Sequence, residues 1–206
     1  MSQYFYSHPD NPQTRLIKQA VDIICNGGVI AYPTDSAYAL GCHLGDKAAL
    51  ERIIHLRRLD ERHNFTLICR DLSDIATYAK VDNQTYRLLK NHTPGPYTFI
   101  LQATSEVPRR VLHPKRKTIG IRIPAHPICQ ALLAALGEPL LTTTLQLPGE
   151  EFPLNDPVNI RDRIGKELDL IIDGGFGTLE STTVVDLSEG SPVLVRQGLG
   201  DPAPFQ

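Results

Sequence analysis

The sequence predicts an α/β protein of the α+β type, a single domain over residues 1–206 with a twisted, mixed parallel and antiparallel sheet and flanking helices. Three observations predict it. Helical and strand patterns alternate along much of the chain, strand patterns crowd together near the C-terminus, and no internal repeat or low-complexity linker divides the sequence.

A chain of 206 residues is within the range of one α/β domain, which buries roughly 70% of its unfolded surface. Hydrophobic content of 41% and charged content of 21% exclude a disordered chain and a coiled coil. No apolar run approaches the ~20 residues that span a bilayer, and the first residues carry no basic stretch followed by an apolar one. The expected location is therefore cytoplasmic.

Asn11 offers an N-cap, Pro12 suits the first helical position, and Leu16, Ile17, Ala20, Val21 and Ile24 recur at helical spacing until Gly27 and Gly28. Residues 29–34 form a short run of strand formers bounded by glycine and proline, which predicts a buried strand. Asp46 caps a second predicted helix through Leu50, Ile53, Ile54 and Arg57, leaving Arg57 at its C-terminal end. Further strands are predicted over 65–69, 98–102, 118–123, 140–144, 168–172, 183–187 and 193–196, and helices over 72–79, 83–91, 126–136 and 158–166. Proline-rich loops are expected at 93–96 and 148–157.

Cys25, Cys42, Cys69 and Cys129 show no close ligand spacing, and the seven histidines form no H-x-x-x-H pair, so no protein-ligated metal is expected. The cysteines read as small buried hydrophobes. Net charge is only −2, but cations cluster. Arg109, Arg110, Lys115, Arg116, Lys117 and Arg122 have no acid among them, and a second group is Arg57, Arg58, Arg62 and His63, diluted by Asp60 and Glu61. Such runs are as often solvated faces as binding sites. Arginine nevertheless offers a planar fork that matches phosphate oxygens. Hydroxyls also cluster at predicted strand ends: Thr34 with Ser36, Thr142 to Thr144, and Ser181 to Thr183. Threonine propensity for strands accounts for any one of them, whereas three such clusters point to a crevice that orients a polar or phosphate-bearing ligand. The P-loop pattern, the dinucleotide glycine fingerprint and the G-x-S-x-G elbow are all absent. With aromatics at 6% and no tryptophan, base stacking is a weak binding mode.

Five strings in order carry a resemblance: P-T-D-S-A-Y-A-L-G-C at 33–42, P-G-P-Y-T-F-I-L at 94–101, T-I-G-I-R-I-P at 118–124, T-T-V-V-D at 182–186 and V-R-Q-G at 195–198. Together they resemble the YrdC/TsaC family, in its YciO branch, over a core of about 12–200. The resemblance implies a YrdC-like fold with a concave, positively charged cavity. It further implies L-threonylcarbamoyladenylate synthesis from L-threonine, bicarbonate and ATP, in the service of tRNA modification, and an association with double-stranded RNA.

Residue by residue, the resemblance implies threonine contacts at Thr34, Thr66, Arg122, Thr142 and Thr182. It implies nucleotide contacts at Arg57, Thr118, Thr144, Gln146 and Arg196. The family's K-x-R becomes Arg57-Arg58-Leu59, and its S-x-N becomes Thr144-Leu145-Gln146. One phosphate cation is thus replaced by leucine, and the expected consequence is a weak or altered synthase. ATP and Mg²⁺ would enter as substrate and counter-ion, with no tightly bound cofactor and no covalent protein intermediate. The alternative is a protein of the same fold that binds double-stranded, transfer or ribosomal RNA through Arg109, Arg110, Lys115, Arg116 and Lys117. ATP or AMP, L-threonine and RNA are the expected partners; oligomeric state is left open.

Overall fold

The computed structural model describes residues 2–60 and 63–206, so Glu61 and Arg62 of the second charged group lie outside the described residues. In chain order the elements are β1 (Gln3–Tyr6), α1 (Thr14–Cys25), β2 (Ile30–Tyr32), β3 (Ala39–His43), α2 (Lys47–Arg57), β4 (Thr66–Ile68), α3 (Leu72–Tyr78), α4 (Asn83–His92) and β5 (Tyr97–Gln102). There follow β6 (Thr118–Arg122), α5 (Pro127–Leu136), β7 (Leu140–Thr144), α6 (Pro157–Ile164), β8 (Leu170–Asp173), β9 (Thr183–Asp186) and β10 (Val193–Arg196). Short 3₁₀ turns lie at Arg109–Val111 and Ala203–Phe205.

All ten strands form one sheet in the order β1-β8-β2-β3-β7-β4-β6-β5-β9-β10. Pairing is mixed: β1/β8, β2/β8, β4/β6 and β5/β9 are parallel, whereas β2/β3, β3/β7, β4/β7, β5/β6 and β9/β10 are antiparallel. The α+β reading of the sequence therefore holds.

Alternation along each strand sends side chains to opposite faces, and the two faces are covered unequally. On one face Leu40, Leu67, Phe99, Leu101, Ile119, Ile121, Leu141 and Val185 join the larger core with Leu50 and Ile53 of α2, Ile75 of α3, Leu89 of α4 and Ile160 of α6. On the other, Ile30, Tyr32, Ala39, Ile68, Leu140, Leu170 and Ile172 pack under Ile17, Ala20 and Ile24 of α1 and Ile128, Leu132 and Leu133 of α5. No residue of β5, β6, β9 or β10 belongs to that second core. Two helices thus cover only the first half of this face, and the second half is left open.

Asp46 caps α2 as expected, accepting from the Ala49 amide at 2.8 Å. The start of α1 differs from the expectation at Asn11 and Pro12. Gln13 is extended at ψ 122 and gives no side-chain cap, so the helix begins at Thr14. Its position follows from the stripe Ile17, Ala20 and Ile24 reaching the core, which outweighs the favourable N1 proline. Two strands went unpredicted. β1 is a four-residue strand paired only with β8, and β3 (A-L-G-C-H) lacks β-branched residues yet lies between β2 and β7. Both are defined by pairing with distant segments, which local propensity does not register.

Candidate anion-binding cavity

The open half of the sheet forms a cavity of about 540 Å³. Its floor is the strand parity opposite the larger core. In β7, Leu141, and just beyond its end Leu145, belong to that core while Thr142 and Thr144 face the cavity; in β5, Phe99 and Leu101 point inward while Thr98 and Ile100 face it. Gly120 and Arg122 alternate with Ile119 and Ile121 in the same way along β6. Register completes the floor, because Thr66 pairs with both Thr142 and Gly120, and Thr98 pairs with Val184.

Among the described residues the lining carries Arg57, Arg122, Arg196 and His63 and no Asp or Glu. Arg122 is the most enclosed, its side chain 8% exposed. Its Nη2 makes an ion pair with Asp35 and donates to Ser36 Oγ at 3.0 Å and Thr34 Oγ1 at 3.2 Å. Asp35, 11% exposed, is itself held by the Ala125 amide at 2.8 Å. The Nε of Arg122 is buried and has no partner among the described residues. A charged donor in that condition is costly unless a ligand oxygen meets it.

Arg57 crosses from the helix layer. Its Nε donates to the Gln146 carbonyl at 2.7 Å and its Nη1 to Thr143 Oγ1 at 2.8 Å. Burial lowers its pKa, and since a guanidinium stays protonated at neutral pH, it stands there as a cation bonded to neutral oxygens. Arg196 is similar, donating from Nε and Nη2 to the Thr182 carbonyl at 3.2 and 3.0 Å. The Thr182 and Thr98 hydroxyls are bonded at 2.8 Å. The Thr142 hydroxyl donates to the Leu40 carbonyl at 2.9 Å and so must accept from Tyr32 Oη, 2.7 Å away. Gly198 lets the chain turn close behind this wall, where a Cβ would stand 2.3 Å from the Ser181 carbonyl.

Of the sequence-derived residues, Arg57, Thr66, Arg122, Thr142, Thr144, Gln146, Thr182 and Arg196 line this one cavity. Thr34 and Thr118 lie outside its lining. The Thr34 hydroxyl donates to the Ala37 carbonyl at 2.7 Å and accepts from Arg122 and the Ser36 amide, so it shapes the turn that holds Arg122. Thr118 is buried with an unpartnered hydroxyl. The Gln146 amide nitrogen is engaged with the carbonyls of Glu150 and Glu151 at 2.9 and 3.2 Å. Leu59 packs against the larger core. His63, Asn64, Thr98, Thr143 and Ser181 also line the cavity without having been assigned a role from sequence; Thr143 and Ser181 belong to the hydroxyl clusters and His63 to the second basic group.

The segment 109–117 is away from the cavity lining. All five of its cations are exposed. Three are already engaged: Arg110 donates to the Gly45 carbonyl at 2.6 Å, Arg116 pairs with Asp186, and Lys117 Nζ donates to the Pro114 carbonyl at 2.6 Å. Cys42, Cys69 and Cys129 are buried while Cys25 is exposed. Among the described residues no cluster of three or more His, Cys, Asp or Glu is placed to hold a metal, and no helix is long and apolar enough to cross a membrane.

The open face of this half-covered mixed sheet thus gathers guanidiniums and hydroxyls, with no acid among the described residues that line it. The chain belongs to the Sua5/YciO/YrdC family, whose model, described as "Telomere recombination", matches residues 22–198. It is 62% identical to YciO of Escherichia coli over 100% of both chains, and the crystal structure of E. coli YciO superposes with a TM-score of 0.97. A threonylcarbamoyl-AMP synthase of Nitrosococcus oceani is 35% identical over 78% of this chain and 86% of its own. The crystal structure of P. abyssi Sua5 complexed with L-threonine is 26% identical, with a TM-score of 0.87, over 96% of this chain and 58% of the other.

Proposed function

We propose that the chain is a slow threonylcarbamoyl-AMP synthase, using L-threonine, bicarbonate and Mg·ATP. The observation that carries this reading is the lining with three guanidiniums, one of them with a buried Nε that has no partner among the described residues, and no acid among the described lining residues. Such a lining suits a ligand set with several negative charges, and two relatives bear on which set: a synthase named for threonylcarbamoyl-AMP and a structure holding L-threonine.

In the reaction the amine of threonine bonds to the carbon of bicarbonate, and a C–O bond breaks with loss of water to leave a carbamate. A carbamate oxygen then attacks the α-phosphorus of ATP, and the bond to the β-phosphate oxygen breaks to release pyrophosphate. No protein atom is bonded to either intermediate. The chain's contribution is placement and charge. Arg122 presents its free Nε to a carboxylate or carbamate oxygen, Arg57 and Arg196 meet phosphate charge, and the Thr66, Thr142 and Thr182 hydroxyls orient the amino acid. Leu59, where the family places arginine, leaves the phosphate end short of a cation, which is why the rate is slow.

Mg·ATP and L-threonine are expected to protect the fold against heat, by about 2.7 kcal/mol at a hundredfold excess over Kd. Arg57→Ala is expected to keep the parent melting temperature within a few degrees, lose most of the protection by Mg·ATP, and cut product formation by about 10²-fold. Full protection of that variant by Mg·ATP would remove Arg57 from the phosphate site. A second reading, RNA binding by the exposed segment 109–117, draws on fewer free cations, since Arg110, Arg116 and Lys117 already bond to the protein.

A further inference from the structure

The phosphate end of the cavity contains a residue that the synthase reading does not use. His63 Nε2 is 3.0 Å from Thr143 Oγ1, the same oxygen that accepts from Arg57 Nη1 at 2.8 Å. Imidazole and guanidinium therefore converge on one point from two elements, within the ~6 Å over which one charge resets a neighbour's protonation. The Thr143 hydroxyl marks the place where an anionic oxygen would meet both. The ring is steadied by an edge contact with Phe65, centroids 5.0 Å apart at 81°. Leu59, by contrast, is turned to the core and contributes nothing at this end.

We propose that His63 is a further cation beside Arg57 at the phosphate end, neutral in the free protein and protonated in company with the bound anion on the acid side of neutrality. The inference rests on the reading that the cavity takes a polyphosphate.

Among the described residues, the charged groups that bear on His63 are Arg57 at the end of α2 and Asp60 beyond it, while Thr143 of β7 and Phe65 face it without charge. Burial first, and Arg57 second, push its pKa down to about 4, with Asp60 acting in the opposite direction. A phosphate between His63 and Arg57 reverses the balance, since an opposite charge at that range raises a cation's pKa by about 1–3 pH units. The sign follows. Because the complex holds the proton more tightly than the free protein, binding takes a proton up. Affinity for the anion then rises as pH falls through the pKa of the complex, and levels off below about 4, where the free protein is already charged. Protonation of the nucleotide's own phosphates works against this trend.

The test follows the ring resonances of His63 by NMR, assigned by their loss in His63→Asn, with and without Mg·ATP. In the free protein they are expected to titrate near pH 4, and in the complex about 1–3 pH units higher. His63→Asn, or His63→Gln should that variant fold better, is expected to bind Mg·ATP more weakly at pH 6, by up to about 10-fold for a rise of 3 pH units, and nearly as well as the parent at pH 8. L-Threonine binding should be unchanged. If Mg·ATP binds while the His63 titration stays where it was, the inference is overturned and the synthase reading stands. If Mg·ATP does not bind at all, both fall together.

Discussion

Replacing Arg122 with alanine is expected to lower stability by about 3–5 kcal/mol, because it leaves Asp35 buried without its partner. The pair is enclosed, at 8% and 11% side-chain exposure, so solvent does little to screen the loss. Asp35 would keep only the Ala125 amide, and the hydroxyls of Thr34 and Ser36 would lose a charged donor. Urea denaturation should show the midpoint falling with the slope unchanged. Loss of the pair is separable from loss of the site. Arg122→Leu combined with Asp35→Leu removes both charges, and it should recover much of the stability while recovering no protection by L-threonine. Arg122→Lys keeps a charge but supplies one point in place of a fork, and should fall between parent and alanine. An Arg122→Ala variant as stable as the parent would show that the ion pair contributes little.

Gly120→Val is expected to cost about 1–3 kcal/mol by overpacking and to reduce product formation by about 10²-fold through displacement of bound groups. A Cβ at this position would stand 2.6 Å from Thr66 Oγ1, 3.1 Å from the Phe65 carbonyl and 3.2 Å from Thr98 Cγ2. The carbonyl belongs to the backbone and cannot rotate away, so β4 or β6 must shift. Thr66 and Thr98 would then leave the positions in which they line the floor. Gly120→Ala should show a smaller loss of both kinds. A valine variant with parental activity would mean that the floor between Thr66 and Thr98 holds no reacting group.

These two variants also show what the sequence made legible. Elements written in local chemistry were readable: the Asp46 cap, the β7 run from Leu140 to Thr144, and four of the five motifs, whose Thr98, Arg122, Thr182 and Arg196 side chains meet in one cavity. Side-chain direction was harder. Thr34 has the residue type of a site hydroxyl, but its bond to the Ala37 carbonyl folds it into its own turn. Leu59 reads as an edited phosphate ligand, and it is also a core contact. The Arg122–Asp35 pair joins residues 87 apart in sequence, and no spacing rule announces such a meeting. β3 was hidden for a related reason, since its strand character comes from neighbours on both sides. His63 reads in the sequence only as one charge in a basic run, whereas burial and then Arg57 push its pKa down to about 4.

The most direct measurement is mass spectrometry of nucleotides formed when the protein is incubated with Mg·ATP, L-threonine and labelled bicarbonate. Slow accumulation of threonylcarbamoyl-AMP carrying the bicarbonate label is expected, with pyrophosphate in equal amount, and a loss of both in Arg57→Ala. No labelled adenylate from threonine, in a preparation that is folded and binds Mg·ATP, would contradict it.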